Sequence, residues 1–130
     1  MKLQGLKIIV AEDNKLSQIV LKKKLESAGA SVLIAEDGTE VMELLEGNAV
    51  DLVILDMYMP QMGGQETLEA IRALPDPARS QLPVIACTAS MMPGEEVKVG
   101  GNDFQAVTGK PVDFDQLEGI IGELVKQFGV

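Results

Sequence analysis

The sequence contains no histidine and no tryptophan, and it has a single cysteine, Cys87. Without histidine, the chain cannot use an imidazole as a metal ligand, as a general base or as a phosphate carrier. A lone cysteine cannot form an internal disulfide, and its place in the apolar run Pro83-Val84-Ile85-Ala86-Cys87 indicates a buried, inert thiol. Nothing in these absences requires an oxidising compartment.

Positive charge, aromatic residues and long apolar runs are also scarce. The net charge is −9, which argues against direct binding to nucleic acid or to an anionic membrane, because both need a basic surface. No apolar run approaches the roughly 18 residues of a membrane span, and the N-terminus lacks the apolar segment of a signal peptide. We therefore expect no membrane insertion and a cytoplasmic protein. Aromatic residues make up 3% of the chain and hydrophobic residues 46%, so its core has to be aliphatic.

What the sequence does contain is a regular alternation of short apolar runs and amphipathic segments, over a length that fits one domain, 1–130. The predicted strands are 7–11, 31–35, 50–55, 84–88 and 106–108. The predicted helices are 15–28, 37–47, 65–74, 92–100 and 113–128. Five successive β-α units predict an α/β fold, a doubly wound parallel sheet in flavodoxin-like order 2-1-3-4-5 with helices on both faces.

Local signals support these boundaries. The first helix places Leu16, Ile19, Val20 and Leu25 near one face, and Gly29 follows as a stop. Asp37 and Asp113 each precede an acidic or amide residue by three positions, which is a capping-box arrangement. The segment Pro75-Asp76-Pro77 is expected to break the third helix. The helix over 92–100 is the weakest prediction, because the segment contains Pro93, Gly94 and Gly100.

Polar side chains follow the predicted strands at one edge of the sheet. Glu12 and Asp13 follow strand one, Asp56 ends strand three, Thr88 ends strand four, and Lys110 follows strand five. Ligands of such folds bind at the carboxyl ends of the strands, beside the switch point between strands one and three. Each residue taken alone also has a structural interpretation, such as a helix lead-in, a turn residue or a solvated lysine. A functional site is favoured because polar residues occur at the ends of four strands that meet at the same edge of the sheet.

Three carboxylates in one cleft repel one another unless a cation compensates them. Mg²⁺ prefers such oxygen ligands, and the absence of histidine or cysteine from the cluster disfavours zinc. A carboxylate can act as a nucleophile toward phosphorus and form an acyl phosphate. A lysine ammonium and a threonine hydroxyl would then neutralise charge on the transferred oxygens.

These residues resemble the receiver domains of two-component response regulators over nearly the whole chain. The motifs that carry the resemblance are Ile8-Ile9-Val10-Ala11-Glu12-Asp13-Asn14, Leu52-Val53-Ile54-Leu55-Asp56-Met57-Tyr58-Met59-Pro60, Thr88-Ala89 and Lys110-Pro111. The resemblance implies phosphorelay signalling, in which the domain accepts a phosphoryl group from a partner phosphohistidine and switches a protein-interaction surface. The implied partner is a sensor histidine kinase or a His-containing phosphotransfer protein. The downstream partner is left open.

The resemblance also implies a role for each matching position. Asp56 resembles the phospho-acceptor, and Asp13 and Glu12 resemble the Mg²⁺ ligands, together with Asp56 itself and the backbone carbonyl of Tyr58. Thr88 and Lys110 resemble the residues that stabilise the phosphoryl group. Pro111 matches a proline that usually follows a cis peptide bond.

The chain departs from the family pattern at one switch position. Val107 lies where receivers often carry tyrosine or phenylalanine, and the nearest aromatic residue is Phe104. The run from Glu12 to Gln18 is similar to receivers attached to hybrid sensor kinases, so the chain could be a stand-alone receiver or an excised part of such a kinase.

Three alternatives stay open at this point. A phosphatase of the haloacid-dehalogenase type also uses an aspartate nucleophile and Mg²⁺, but it resembles Asp-x-Asp, and the second position here is Tyr58. A receiver fold that binds partners without being phosphorylated is the second alternative. A flavin-binding protein is the third, and it is disfavoured because Glu12 and Asp13 would repel a phosphate.

Overall fold

The computed structural model describes residues 3–88 and 97–128. Its centre is a five-stranded parallel sheet in the order β2-β1-β3-β4-β5. The strands are β1 (Lys7–Ala11), β2 (Ser31–Ala35), β3 (Leu52–Asp56), β4 (Val84–Thr88) and β5 (Ala106–Gly109). The helices are α1 (Lys15–Ser27), α2 (Gly38–Gly47), α3 (Gly64–Arg72), α4 (Pro77–Ser80) and α5 (Phe114–Phe128). The predicted architecture is confirmed.

Two aliphatic layers cover the sheet. Strands β3 and β4 are buried along their whole length, which explains why their sequences are continuous apolar runs. One layer includes Leu25 of α1 and Leu117 of α5, and the other includes Leu45 of α2 and Ile71 of α3. Phe104, which lies ahead of β5, is fully buried in the second layer.

Helix α1 does not keep on one face the four apolar residues that the sequence pattern groups together. Leu21 and Leu25 are buried with the polar Gln18, whereas Leu16, Ile19 and Val20 are exposed. The prediction that these residues share one face with Leu25 was therefore wrong, because Leu25 is buried and the other three are exposed. The buried face is the row Leu21, Leu25 and Ala28, which packs in the core layer. The polar Gln18 shares this face, where its side-chain amide donates a buried hydrogen bond of 2.5 Å to the backbone carbonyl of Glu12.

The helix ends follow the capping signals, with some differences. The Glu40 N–H donates to Asp37 Oδ1 and the Gln116 N–H donates to Asp113 Oδ1, as predicted. Helix α3 ends at Arg72, before the predicted break at Pro75-Asp76-Pro77. A short helix that the sequence pattern does not predict, α4, begins at Pro77 and is capped by Asp76. The predicted helix over 92–100 lies mostly outside the described residues, and its last four residues, 97–100, are not helical.

Arg72, the last residue of α3, fastens the loop that leads into β5. Its guanidinium donates to the backbone carbonyls of Asn102 and Asp103 and to the side-chain oxygen of Gln105. It also donates to the carbonyl of Ser80, the last residue of α4, and to that of Leu82, in the loop before β4. This contact fixes the start of β5, the strand that delivers Lys110 to the opposite edge of the sheet.

Candidate functional site

Three carboxylates converge where β1 and β3 end. Glu12, Asp13 and Asp56 each place one carboxylate oxygen within 4.8 Å of the others. The cause is the register of two neighbouring strands, because Ala11 pairs with Leu55 and the next residues along each strand are Glu12 and Asp56. Glu12 and Asp56 are buried, and Asp13 is exposed. The predicted convergence of these three residues is therefore present.

Lys110 bridges the two buried carboxylates. Its ammonium lies 2.7 Å from Asp56 Oδ2 and 2.8 Å from Glu12 Oε2. Its backbone N–H donates to the carbonyl of Thr88 at 3.0 Å, which ties the end of β4 to the residue after β5. Thr88 is itself buried, and the Lys110–Pro111 peptide bond is cis.

The electrostatics follow from this crowding. Burial raises the pKa of Glu12, and the hydrogen bond from Lys110 offsets that effect only in part. Burial alone would lower the pKa of Lys110, but its hydrogen bonds to Asp56 and Glu12 outweigh this effect, so the pKa is raised. One lysine thus compensates two buried carboxylates while Asp13 adds a third negative charge. The site has an excess of negative charge that a further cation would neutralise.

The donor set fits a hard divalent cation. Within residues 3–88 and 97–128, the ligand cluster consists of carboxylates alone, the oxygen donors that Mg²⁺ prefers. Cys87 pairs with Asp56 across β3 and β4, but burial raises the pKa of its thiol to about 12. A protonated thiol is a poor metal ligand, so the nearby sulfur does not alter this preference.

The backbone that carries Asp56 is held on two sides. The Met57 N–H donates to the Cys87 carbonyl at 3.0 Å, and the Tyr58 N–H donates to Asp56 Oδ1 at 3.2 Å. Gly64, the first residue of α3, packs directly against the end of β3. A Cβ atom at Gly64 would lie 2.8 Å from the Asp56 carbonyl oxygen and 2.9 Å from Met57 Cα.

Sequence reasoning missed two residues that support the site. Gln18 was not considered, because a glutamine within a helix gives no sign that it will hold the Glu12 backbone. Gly64 was overlooked because only the packing of α3 on β3 reveals the close approach; the run Met62-Gly63-Gly64 after Asp56 was the available signal.

Val107 is half-buried against the layer that contains Phe104. No helix in the described part of the chain is long and apolar enough to cross a membrane.

The sequence matches the response regulator receiver domain family over residues 8–122. It is 33% identical over 120 residues to the sensor histidine kinase AruS of Pseudomonas aeruginosa, covering 92% of this chain but only 12% of that kinase. It is also 27% identical over 105 residues to the polar-differentiation response regulator DivK of Brucella anthropi, covering 81% of this chain and 84% of DivK.

Two solved structures agree with this family match. The signal receiver domain of a histidine kinase from Syntrophus aciditrophicus superposes with a TM-score of 0.85 at 25% identity, covering 95% of this chain and 92% of that one. The receiver domain of a Francisella response regulator gives a TM-score of 0.82 at 26% identity, covering 95% and 99%. These matches favour the receiver interpretation over the phosphatase and flavin-binding alternatives. The chain belongs to the response regulator receiver domain family, and it is a signalling phospho-acceptor of phosphorelays rather than a classical enzyme.

Proposed function

We propose that residues 1–130 form one receiver domain in which Asp56 accepts the phosphoryl group. The observation that carries this proposal is the bridge from Lys110 to both Asp56 and Glu12 beside a third carboxylate, Asp13. Asp56 lies at the end of a central strand and at the switch point of the sheet, where such folds bind ligands.

The transfer exchanges one bond for another. A carboxylate oxygen of Asp56 attacks the phosphorus of a partner phosphohistidine, a P–O bond forms, the P–N bond breaks, and the imidazole leaves. Because negative charge is spread over the transferred oxygens, the protein contributes chiefly positioning and neutralisation. The Lys110 ammonium, already 2.7 Å from Asp56 Oδ2, is placed to supply positive charge. The Thr88 hydroxyl would donate a hydrogen bond.

Glu12, Asp13, Asp56 and the backbone carbonyl of Tyr58 would hold Mg²⁺. The carboxylate donor set supports this assignment, because three carboxylates face a single lysine. When bound, the ion would neutralise charge on the phosphoryl oxygens.

Phosphorylation would replace the single negative charge of the Asp56 carboxylate with a phosphoryl group that carries about −1.5 to −2. The new oxygens would compete with Glu12 for Lys110 and draw in Thr88. Because the Lys110 N–H binds the Thr88 carbonyl, a shift of either residue displaces the ends of β4 and β5 together. Val107, in β5, would transmit this movement as an aliphatic side chain in place of the aromatic ring that many receivers carry.

A receiver implies a histidine kinase or a His-containing phosphotransfer protein as partner. This chain contains no histidine, so the phosphohistidine has to be supplied by another protein or by a segment outside this sequence. The similarity to AruS, a sensor histidine kinase, supports an origin in a hybrid kinase, and the similarity to DivK supports a stand-alone regulator. A cytoplasmic location and a protein partner, with no direct binding to nucleic acid, suit the net charge of −9.

The test is to add Mg²⁺ and beryllofluoride, a mimic of the aspartyl phosphate, and to record backbone amide NMR shifts. We expect large changes at Asp56, Thr88 and Lys110 that spread to α5. Asp56→Asn should abolish them, while the matched control Asp115→Asn, at an exposed aspartate of α5, should not.

Other outcomes discriminate between the candidates. Changes that stay within the site would show binding without transmission and would point to Val107. A folded protein that gives no change with Mg²⁺ and beryllofluoride would refute the phospho-acceptor proposal and favour a receiver fold that binds partners without phosphorylation.

A further inference from the structure

The three carboxylates of the cluster are not held equally. Those of Asp56 and Glu12 each accept a hydrogen bond of 3.2 Å from a backbone N–H, and each also binds the Lys110 ammonium. The Asp13 carboxylate is exposed, and in the described part of the chain its side chain forms no hydrogen bond and no ion pair. The direction of this carboxylate therefore depends on the backbone that carries it.

The backbone ahead of Asp13 is held by Gln18. This side chain is only 7% exposed, and its amide donates a hydrogen bond of 2.5 Å to the Glu12 carbonyl. That carbonyl belongs to the peptide group that joins Glu12 to Asp13. On its other side, the Glu12 N–H donates to the Ala35 carbonyl at 3.0 Å, which anchors Glu12 to the end of β2. The orientation of the Glu12–Asp13 peptide group is therefore set largely by Gln18.

The first turn of α1 brings Gln18 back to the end of β1. Asn14 caps the helix, because its side chain accepts a hydrogen bond of 3.0 Å from the Ser17 N–H. The Gln18 N–H donates to the Asn14 carbonyl at 3.0 Å, so that Gln18 lies one turn beyond the cap. Asp13 is thus held between the cap at Asn14 on one side and the contact of Gln18 with Glu12 on the other.

Loss of the Gln18 amide would take away the donor of a buried carbonyl. A buried carbonyl without a donor is unfavourable, so the peptide group would turn toward water. Such a turn would move the Asp13 carboxylate away from Glu12 and Asp56, to which it now lies within 4.8 Å. Side chains that orient metal ligands from behind typically change metal affinity by about 10–100-fold.

We propose that Gln18 is a positioning residue for the metal site: it holds the Glu12–Asp13 peptide group and thereby directs the Asp13 carboxylate toward Asp56. The proposal rests on the proposed function, since it concerns Mg²⁺ held by these carboxylates. Gln18 supplies no ligand atom and acts through the backbone of two ligands. The alternative is that its hydrogen bond only fastens α1 to β1, and its loss would then lower stability and leave the site unchanged.

The variant Gln18→Met separates these two roles, because it keeps the length of the side chain and removes the donor. We expect its affinity for Mg²⁺ to fall about tenfold or more, measured by titration of the amide NMR signals of residues 12–14 at constant ionic strength. The matched control is Leu25→Ala, which truncates a fully buried side chain on the same face of α1. It should lower the free energy of unfolding and leave the Mg²⁺ affinity unchanged. An unchanged affinity in Gln18→Met, or an equal loss in both variants, would overturn the proposal.

A measurement on the wild type decides the question even if Gln18→Met does not fold. The side-chain amide protons of Gln18 should exchange slowly with solvent, because their hydrogen bond to Glu12 is buried. Their NMR signals should also shift on addition of Mg²⁺, together with the backbone signal of Asp13. Fast exchange of these protons, or Gln18 signals that ignore Mg²⁺ while the Asp13 signal responds, would contradict the positioning role.

The same titration distinguishes this proposal from the one on which it rests. A folded wild type in which neither residues 12–14 nor Asp56 respond to Mg²⁺ would refute the metal site of the proposed function, and the role of Gln18 with it. A wild type that binds Mg²⁺, beside a folded Gln18→Met variant that binds it equally well, would refute the role of Gln18 alone.

Discussion

Replacing Lys110 with methionine tests whether one lysine holds the carboxylate cluster together. The substitution keeps most of the side-chain volume and removes the ammonium that lies 2.7 Å from Asp56 and 2.8 Å from Glu12. The side chains of Lys110, Glu12 and Asp56 are only 25%, 4% and 6% exposed. Water therefore cannot replace the lost cation well, and two carboxylates are left buried together.

Breaking a buried ion pair by removing one partner typically costs about 3–5 kcal/mol, and we expect Lys110→Met to lower the free energy of unfolding by about that much at pH 7–8 without metal. The loss should shrink toward pH 5, because Glu12, whose pKa is already raised, can then take up a proton. Added Mg²⁺ should also reduce the loss. In the wild type, the stabilisation from Lys110 should persist at neutral pH and disappear only as the pH rises through its raised pKa.

The assay is urea denaturation, with EDTA and then with Mg²⁺. Lys15→Met is the matched control, because it removes another Lys–Glu pair whose side chains are 71% and 48% exposed. Exposed pairs contribute about 0–1 kcal/mol, so this variant should stay close to the wild type. If Lys110→Met costs no more than Lys15→Met, or if its cost does not depend on pH, the argument from buried charge is wrong.

Four further predictions concern packing and reactivity. Phe104→Ala should lower the free energy of unfolding, measured by urea denaturation, by about 3–5 kcal/mol, because the ring is fully buried. Phe114→Ala should lower it by less, because Phe114 is only half-buried. Gly64→Ala should destabilise the protein by about 1–3 kcal/mol and slow phosphorylation of Asp56, because the new Cβ meets backbone. Gly119→Ala, in open space on α5, should instead stabilise it by up to about 1 kcal/mol. Cys87 should resist alkylation at pH 8 until the protein unfolds, since its pKa is about 12; fast modification of the native protein, detected by mass spectrometry, would contradict this.

Much of the fold and of the site could be predicted because the signals are local or follow from topology. Apolar runs such as 84–88 define buried strands, and the cap at Asp37 defines a helix start. Parallel strands joined by helices have to bring their carboxyl ends to one edge. That rule alone places Glu12, Asp13 and Asp56 together before any contact is known.

Other features depend on contacts between distant residues. Helix α1 packs on the sheet through Leu21 and Leu25, and the polar Gln18 on the same face donates a hydrogen bond to the Glu12 backbone. The apolar pattern indicates neither which side of the helix is buried nor this hydrogen bond. The tight approach of Gly64 to Asp56 and the hold of Arg72 on the loop before β5 are likewise invisible in local sequence.

The sequence by itself determined the alternation of strands and helices, the residues at the strand ends and the family to which the chain belongs. The tertiary structure decided which contacts these residues make: Lys110 binds Glu12, 98 positions away, as well as Asp56. It also decided that helix α1 buries Leu21 and Leu25 and leaves Leu16, Ile19 and Val20 in solvent. The physical reason is that periodicity is set by neighbours along the chain, whereas helix rotation and charge pairing are set by whichever surfaces meet when the chain packs.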